Sequence, residues 1–175
     1  MKKLTACYPS PIGLLKISGT ADGISEISFA RRGSPPSAPV PDELIATVRQ
    51  LEEYFRGERR EFAMRLAPAG TVFQRKVWAE LEKIPFGATA TYGEIAAALH
   101  KPRAARAVGG ANHLNPISIV IPCHRVIGAG ADLRGYGGGL WRKRWLLAHE
   151  RSVALTGAPA ARPSRQDSKH ARRIK

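Results

Sequence analysis

The sequence is short of cysteine, of acidic residues and of long apolar runs. Only Cys7 and Cys123 occur among its 175 residues, too few for a disulfide framework and without metal-ligand spacing, so neither a structural metal nor a cofactor is expected. No apolar run is long enough to span a bilayer. Leu4-Thr-Ala-Cys7 resembles the end of a lipoprotein cleavage site, but Lys2 and Lys3 stand where its apolar segment belongs, and Pro9 and Pro11 follow. A reducing cytoplasm, with no membrane partner, is the matching expectation. Asp and Glu number 14 against 28 Lys and Arg, a formal net charge of +14. Such a balance favours a polyanion, nucleic acid before an acidic small molecule, although an inert basic surface explains it equally well.

Part of that charge sits at the end of the chain. From Val153 on, Arg162, Arg165, Lys169, Arg172, Arg173 and Lys175 stand against Asp167 alone. Without apolar periodicity, residues 153–175 read as a disordered basic tail. Ahead of it, two blocks differ in pattern. Ile12–Ser18 and Ile24–Phe29 alternate apolar and polar residues around Gly19–Gly23, a β-hairpin. After the Pro-rich loop Gly33–Pro41, Asp42 is placed to cap a helix presenting Leu44, Ile45, Val48, Leu51 and Phe55 on one face. Phe62, Met64 and Leu66 alternate as a third strand. Residues 1–67 are thus a small α+β domain, with Pro68-Ala-Gly70 as linker.

Residues 70–152 read as mostly helical. Phe73, Val77, Leu81 and Ile84 recur at helical spacing, with Trp78 as a core anchor. Thr91-Tyr-Gly-Glu94 is a capping box that opens a helix at Tyr92. Pro102 suits the start of the next helix, from Arg103 to about Ala111, and two short helices across a tight turn describe a helix-turn-helix. The second is thin, built on Ala104, Ala105, Ala107, Gly109, Gly110 and Ala111, with Arg103 and Arg106 as i,i+3 neighbours. Slimness and two cations suit phosphates and a minor groove; a helix packed into the core with solvated arginines explains the same residues equally well.

The chemistry centres on Pro122-Cys-His-Arg-Val126. The apolar run Ile117–Ile121 reads as a buried strand delivering Cys123 into a turn, and the glycines from Gly128 to Gly139 allow backbone to line a pocket. Cys123 is the candidate nucleophile. His124 can serve it only if the chain turns, and Glu150 would orient that imidazole. Asn115 precedes Pro116 at another turn, where an amide can pin backbone. A Cys-His dipeptide alone is weak evidence, since most such cysteines are buried and inert.

The pentapeptide resembles the active-site signature of the O6-alkylguanine-DNA alkyltransferases. Gly70-Thr-Val-Phe-Gln74 with Val77-Trp78, Ile84-Pro-Phe-Gly87, Tyr92-Gly-Glu-Ile-Ala96, Arg106–Ala111, Asn115-Pro116, Gly135–Leu140 and Leu146–Glu150 resemble further elements of that family, in order. The likeness is strong over about residues 70–150 and looser before. It implies an α+β protein: a small ribonuclease H-like domain, then a helical domain with a winged helix-turn-helix-like DNA-binding unit. It implies repair by direct reversal, in which Cys123 takes the alkyl group of O6-alkylguanine irreversibly, one lesion per protein. The preference between O6-methylguanine and O4-methylthymine stays open.

By the same resemblance, His124 draws off the thiol proton through a water, Glu150 orients it and Asn115 braces the turn. Tyr92 assists the leaving guanine and helps rotate the 3′ phosphate. Arg106 fills the stack vacated by the flipped nucleotide, Arg103 is placed on the DNA, and Val126, Tyr136 and Gly137 line the guanine pocket. The partner implied is duplex DNA bound through its minor groove by a monomer without an obligate protein partner. His100-Lys-Pro102 departs from the family where a glycine before the proline is frequent, and Gly130-Ala-Asp132 replaces the more usual Asp-Gly order. Cys7 lacks the companions of the zinc site found in some relatives. The alternative is a non-catalytic alkylated-DNA recognition module; such proteins carry Trp in the cysteine's place, and Cys123 argues against it.

Overall fold

A computed structural model describes residues 2–30, 39–133 and 135–160. Three antiparallel strands, β1 (Leu4–Ser10), β2 (Gly13–Thr20) and β3 (Gly23–Phe29), form a meander in the order β1-β2-β3. Helix α1 (Asp42–Phe55) packs Leu44, Leu51 and Tyr54 toward the sheet residues Ala6, Leu15 and Ile17. The expected hairpin is β2–β3, with a register shift at Ser18/Gly19. Strand β1 went unforeseen because only Ala6 is fully buried along it, and Pro9 sits inside it. Proline is tolerated there because β1 is an edge strand.

The third strand expected at Phe62–Leu66 does not form. Two segments share the outer edge of β3: Ile24 bridges Leu66 and Ile27 bridges Ile117. Each gains single-residue pairing only, so neither becomes a strand. The Gln50 side chain holds the first of these segments through both amide atoms, to Ala63 O and Ala63 N at 2.8 Å each. On α1, Asp42 lies in the first turn and Pro41 occupies the cap position without a side-chain bond, correcting the expected Asp42 cap. The buried face is also rotated: Tyr54 is inside and Ile45 is half exposed. Most of the Pro-rich loop lies outside the described residues.

The helical part begins with α2 (Val72–Glu82), opened by a capping box of Thr71 and Gln74. Trp78 is a core residue, and its indole nitrogen donates to Ala111 O at 2.9 Å. The two-residue strand β4 (Ala90–Thr91) leads into α3 (Tyr92–Ala98) through the expected Thr91–Glu94 capping box. A 3₁₀ turn, Pro102–Ala104, precedes α4 (Ala105–His113). β5 (Val126–Ile127) pairs in parallel with β4. Helix α5 (Leu140–Thr156) closes the fold, ending on Gly157 in the left-handed conformation. Residues 153–156, assigned to a tail from sequence, are therefore helical, and Val153 is fully buried. Residues 161–175 of that expected tail lie outside the described residues. No helix among the described residues is long and apolar enough to cross a membrane.

Candidate active site

Residues 117–121 correct the expectation of a buried strand. Ile117, Ile119 and Ile121 are all buried, but Ile119 has φ +76° and Ile121 N donates to Ile117 O at 3.0 Å. A β-branched residue with positive φ is a conformational outlier, and such strain persists only where surrounding structure over-determines it. Asn115 supplies the determination. Its Nδ2 donates to Ile121 O at 2.8 Å, and its Oδ1 accepts from Ile117 N at 3.0 Å. The chain leaves this bend through Pro122 into a 3₁₀ turn, Cys123–Arg125, with Arg125 N donating to Pro122 O at 2.9 Å.

That turn, rather than a strand, carries the His124 side chain onto Glu150 of α5. Glu150, fully buried on α5, gathers five donors. Its Oε1 accepts from Tyr54 OH (2.9 Å), His124 Nε2 (2.8 Å) and an Arg125 terminal nitrogen (2.9 Å). Its Oε2 accepts from Arg125 Nε (2.9 Å) and Gly87 N (3.0 Å). Burial acts to raise the Glu150 carboxyl, but the His124 imidazole and the Arg125 guanidinium overcome it and hold the carboxyl far below the usual range. An ionised carboxylate only accepts, so His124 carries its proton on Nε2. Nδ1 is left with the lone pair, buried and without a hydrogen-bond partner among the described residues. Burial also pushes the imidazolium down, which favours the neutral ring.

Cys123 is 5% exposed, on a cavity of about 190 Å³. Ser28 and Phe29 from β3, His113 and Asn115 from the end of α4, Ser118, and Gly135–Gly138 with Tyr136 surround it. Burial pushes the Cys123 thiol up, against the pull of the Asn115 amide and the Lys143 ammonium. The resting group is a neutral thiol that needs a base. Lys143 is buried and donates to Val126 O at 2.6 Å. Val126 is accordingly not among the cavity-lining residues, whereas Tyr136 and Gly137 are. The Tyr136 ring meets Phe29 edge-on at 6.4 Å. Gly138 sits so close to Phe29 that no side chain fits between them.

Tyr92 is half-buried, and burial and the neighbouring Cys123 both raise its phenol, so it remains a proton donor. Its ring is 3.8 Å from where a Cβ on Gly109 would stand, which is what the thin α4 permits. Asn112 of α4 donates to Cys123 O at 3.4 Å. Arg103 and Arg106 are exposed and make no salt bridge among the described residues. Val108 and Ala111 form the buried side of that helix. Both arginines are thus outside the cavity: Arg106 is on the solvent side of α4, and Arg103, expected on the same helix, lies in the 3₁₀ turn before it.

Residues 72–152 match the family description "6-O-methylguanine DNA methyltransferase, DNA binding domain", and residues 3–68 match its ribonuclease-like domain. The chain belongs to this family. A methylated-DNA–protein-cysteine methyltransferase of Methanosarcina acetivorans is 46% identical over 154 residues, covering 84% of this chain and 97% of the relative. One from Mycolicibacterium paratuberculosis is 49% identical over 146 residues, covering 81% and 88%. A crystal structure of Mycobacterium tuberculosis OGT in complex with DNA aligns with TM-score 0.78 at 45% identity, over 88% of this chain and 94% of that one. The family's O6-methylguanine-DNA methyltransferase from Pyrococcus kodakaraensis aligns with TM-score 0.63 at 26% identity, over 85% and 99%.

Besides cavity-lining residues such as Ser28, Phe29 and Ser118, three residues that hold the site from behind were missed from sequence. Arg125 reads as part of a motif, yet its guanidinium is buried on Glu150 and on Ile84 O at 2.6 Å. Lys143 lies within a run of basic residues that looks solvated. Tyr54 sits in a segment with no visible link to Glu150, 96 residues away. For Lys143, the apolar residues at i+3 and i+10, Leu146 and Val153, were the available signal.

Proposed function

We propose that this protein repairs DNA by moving the alkyl group of O6-alkylguanine, chiefly O6-methylguanine, onto Cys123. The observation that carries this reading is the buried line Glu150–His124, whose Nδ1 has no hydrogen-bond partner among the described residues, in the same turn as a thiol that opens on a cavity. A duplex base must leave the stack to bring its O6 substituent to that sulfur, at a cost of a few kcal/mol. In this reading α4 approaches through the minor groove, Arg103 pairs with phosphate and Arg106 takes the place of the everted nucleotide, offsetting that cost.

Chemistry then proceeds as a displacement at carbon. His124 Nδ1 receives the thiol proton through a water, and Glu150 stabilises the imidazolium that results. The sulfur forms a bond to the methyl carbon as the carbon–O6 bond breaks, and the electron pair goes to guanine. Tyr92 donates to the guanine ring, relieving the charge that develops there. Asn115 keeps the Ile117–Ile121 bend, and so the sulfur, in place. Tyr136 and Gly137 bound the space for the base, with the Val126 carbonyl behind it. The product is a thioether, which thiol exchange does not reverse, so each molecule acts once. In this reading the protein works as a monomer in the reducing cytoplasm, where Cys123 is kept as a thiol. Titration with a duplex bearing radiolabelled O6-methylguanine tests this: label on protein saturates at one methyl per molecule. Continued turnover, or none at all, contradicts it.

A further inference from the structure

Tyr54 belongs to α1 of the N-terminal domain, yet its hydroxyl ends on the carboxylate behind the candidate base. It is fully buried, and its ring is enclosed by Phe55, Phe62, Phe86 and His149 at 5.2–6.1 Å between centroids. Its backbone is held too: His149 Nε2 donates to Tyr54 O at 2.9 Å, and that imidazole stacks on Trp145 at 4.9 Å and 8°. Residue 54 is therefore fixed to α5 at both ends. Burial first, and then the Glu150 charge, raise its phenol well above the ordinary value, so it is a permanent donor.

Three donors converge on Glu150 Oε1: Tyr54 OH, His124 Nε2 and Arg125. A carboxylate offers about four lone-pair sites over its two oxygens, so three donors on one oxygen divide its charge between them. We infer that Tyr54 is a positioning residue through which the N-terminal domain tempers the basicity of His124, by drawing Oε1 charge away from the imidazole. The groups facing His124 are Cys123 and Arg125 from its own turn, Glu150, His149 and Lys143 from α5, and Tyr54 acting through Glu150. Arg125 keeps Glu150 ionised by a two-point contact whether or not Tyr54 is present. Removing the phenol hydroxyl thus leaves the carboxylate charged and directs more of that charge to His124. The bearing of this on catalysis rests on the alkyl-transfer reading above.

The test is an NMR titration of histidine-labelled full-length protein without DNA, with the His124 signal assigned by His124→Gln. In Tyr54→Phe, which keeps the ring and its packing, the imidazole midpoint moves up by about half a pH unit, roughly threefold in ionisation constant. Replacing Tyr54 by 3-fluorotyrosine, a stronger donor of nearly the same shape, moves it down. This second variant answers the question if Tyr54→Phe folds poorly. A midpoint unmoved or moved the other way, or an imidazole that stays neutral in all proteins, overturns the inference. A methyl-transfer assay on the same samples reports separately on the repair reading, which stands if transfer occurs whatever the titration shows.

Discussion

Arg125 and Glu150 form a buried two-point ion pair, Nε to Oε2 and a terminal nitrogen to Oε1, both at 2.9 Å. The pair joins the residue two places after the nucleophile to the helix that closes the fold. Removing one partner of such a pair strands the other charge, at about 3–5 kcal/mol. Glu150→Gln should therefore lose stability of this order at pH 7, measured by urea unfolding.

The pH dependence of that loss follows from the depressed Glu150 carboxyl. A carboxyl lowered in the folded state stabilises the fold above its unfolded value, near pH 4.3, and the contribution fades as pH falls toward the folded value. The stability gap between parent and Glu150→Gln should be constant from pH 7 to about 5 and shrink below about 4.3. A gap that is flat down to pH 3 would falsify the assignment of an ionised Glu150.

His100 has φ +57° at the junction between α3 and the Pro102 turn. An L-residue there costs roughly 1 kcal/mol that glycine does not incur. His100→Gly should raise stability by about 0.5–1 kcal/mol, part of the gain being returned through the more flexible unfolded chain. Chemical denaturation checks it; a loss of stability would mean the imidazole makes an interaction worth more than the strain.

Arg106 is exposed on the thin helix and tied to no acid among the described residues. If Arg106 replaces the everted base in the stack as proposed, Arg106→Ala should slow methyl transfer from duplex DNA by about tenfold or more. Binding to undamaged duplex should fall much less. Equal losses in stopped-flow transfer and in binding would reduce Arg106 to a phosphate ligand.

Deleting residues 161–175 leaves α5 and its Gly157 cap intact, unlike a cut at Val153, which is buried. If the arginines and lysines there meet phosphates, the slope of log binding constant against log salt should shrink by about 0.9 for each phosphate they neutralise. Single-turnover chemistry should be unchanged. An unaltered slope assigns the segment no part in DNA binding.

Local signals in the sequence were reliable where a single element carries them. The Thr91–Glu94 box, the β2–β3 hairpin and the Trp78 anchor depend on neighbours along the chain, and each is present. Signals that depend on tertiary competition were not. Phe62–Leu66 alternates like a strand, but β3 gives its edge to Leu66 and Ile117 in turn. Ile117–Ile121 reads as extended because all three isoleucines are buried, and the bend with its positive φ at Ile119 is held by Asn115 at both ends and by β3 at Ile27. At the site, the Cys123–His124–Glu150 set was legible as a motif. Tyr54 and Lys143 were not: the apolar spacing around Lys143 marks a buried face, but the distant polar atoms that hold the two side chains leave no trace in the sequence.

The central claim concerns a covalent bond at one sulfur. After reaction with an O6-methylguanine duplex, intact-mass analysis followed by peptide mapping should find a single added methyl on the peptide bearing Cys123. Cys123→Ser should gain none while still binding the duplex. Methyl on any other residue, or transfer that survives in Cys123→Ser, would contradict the account.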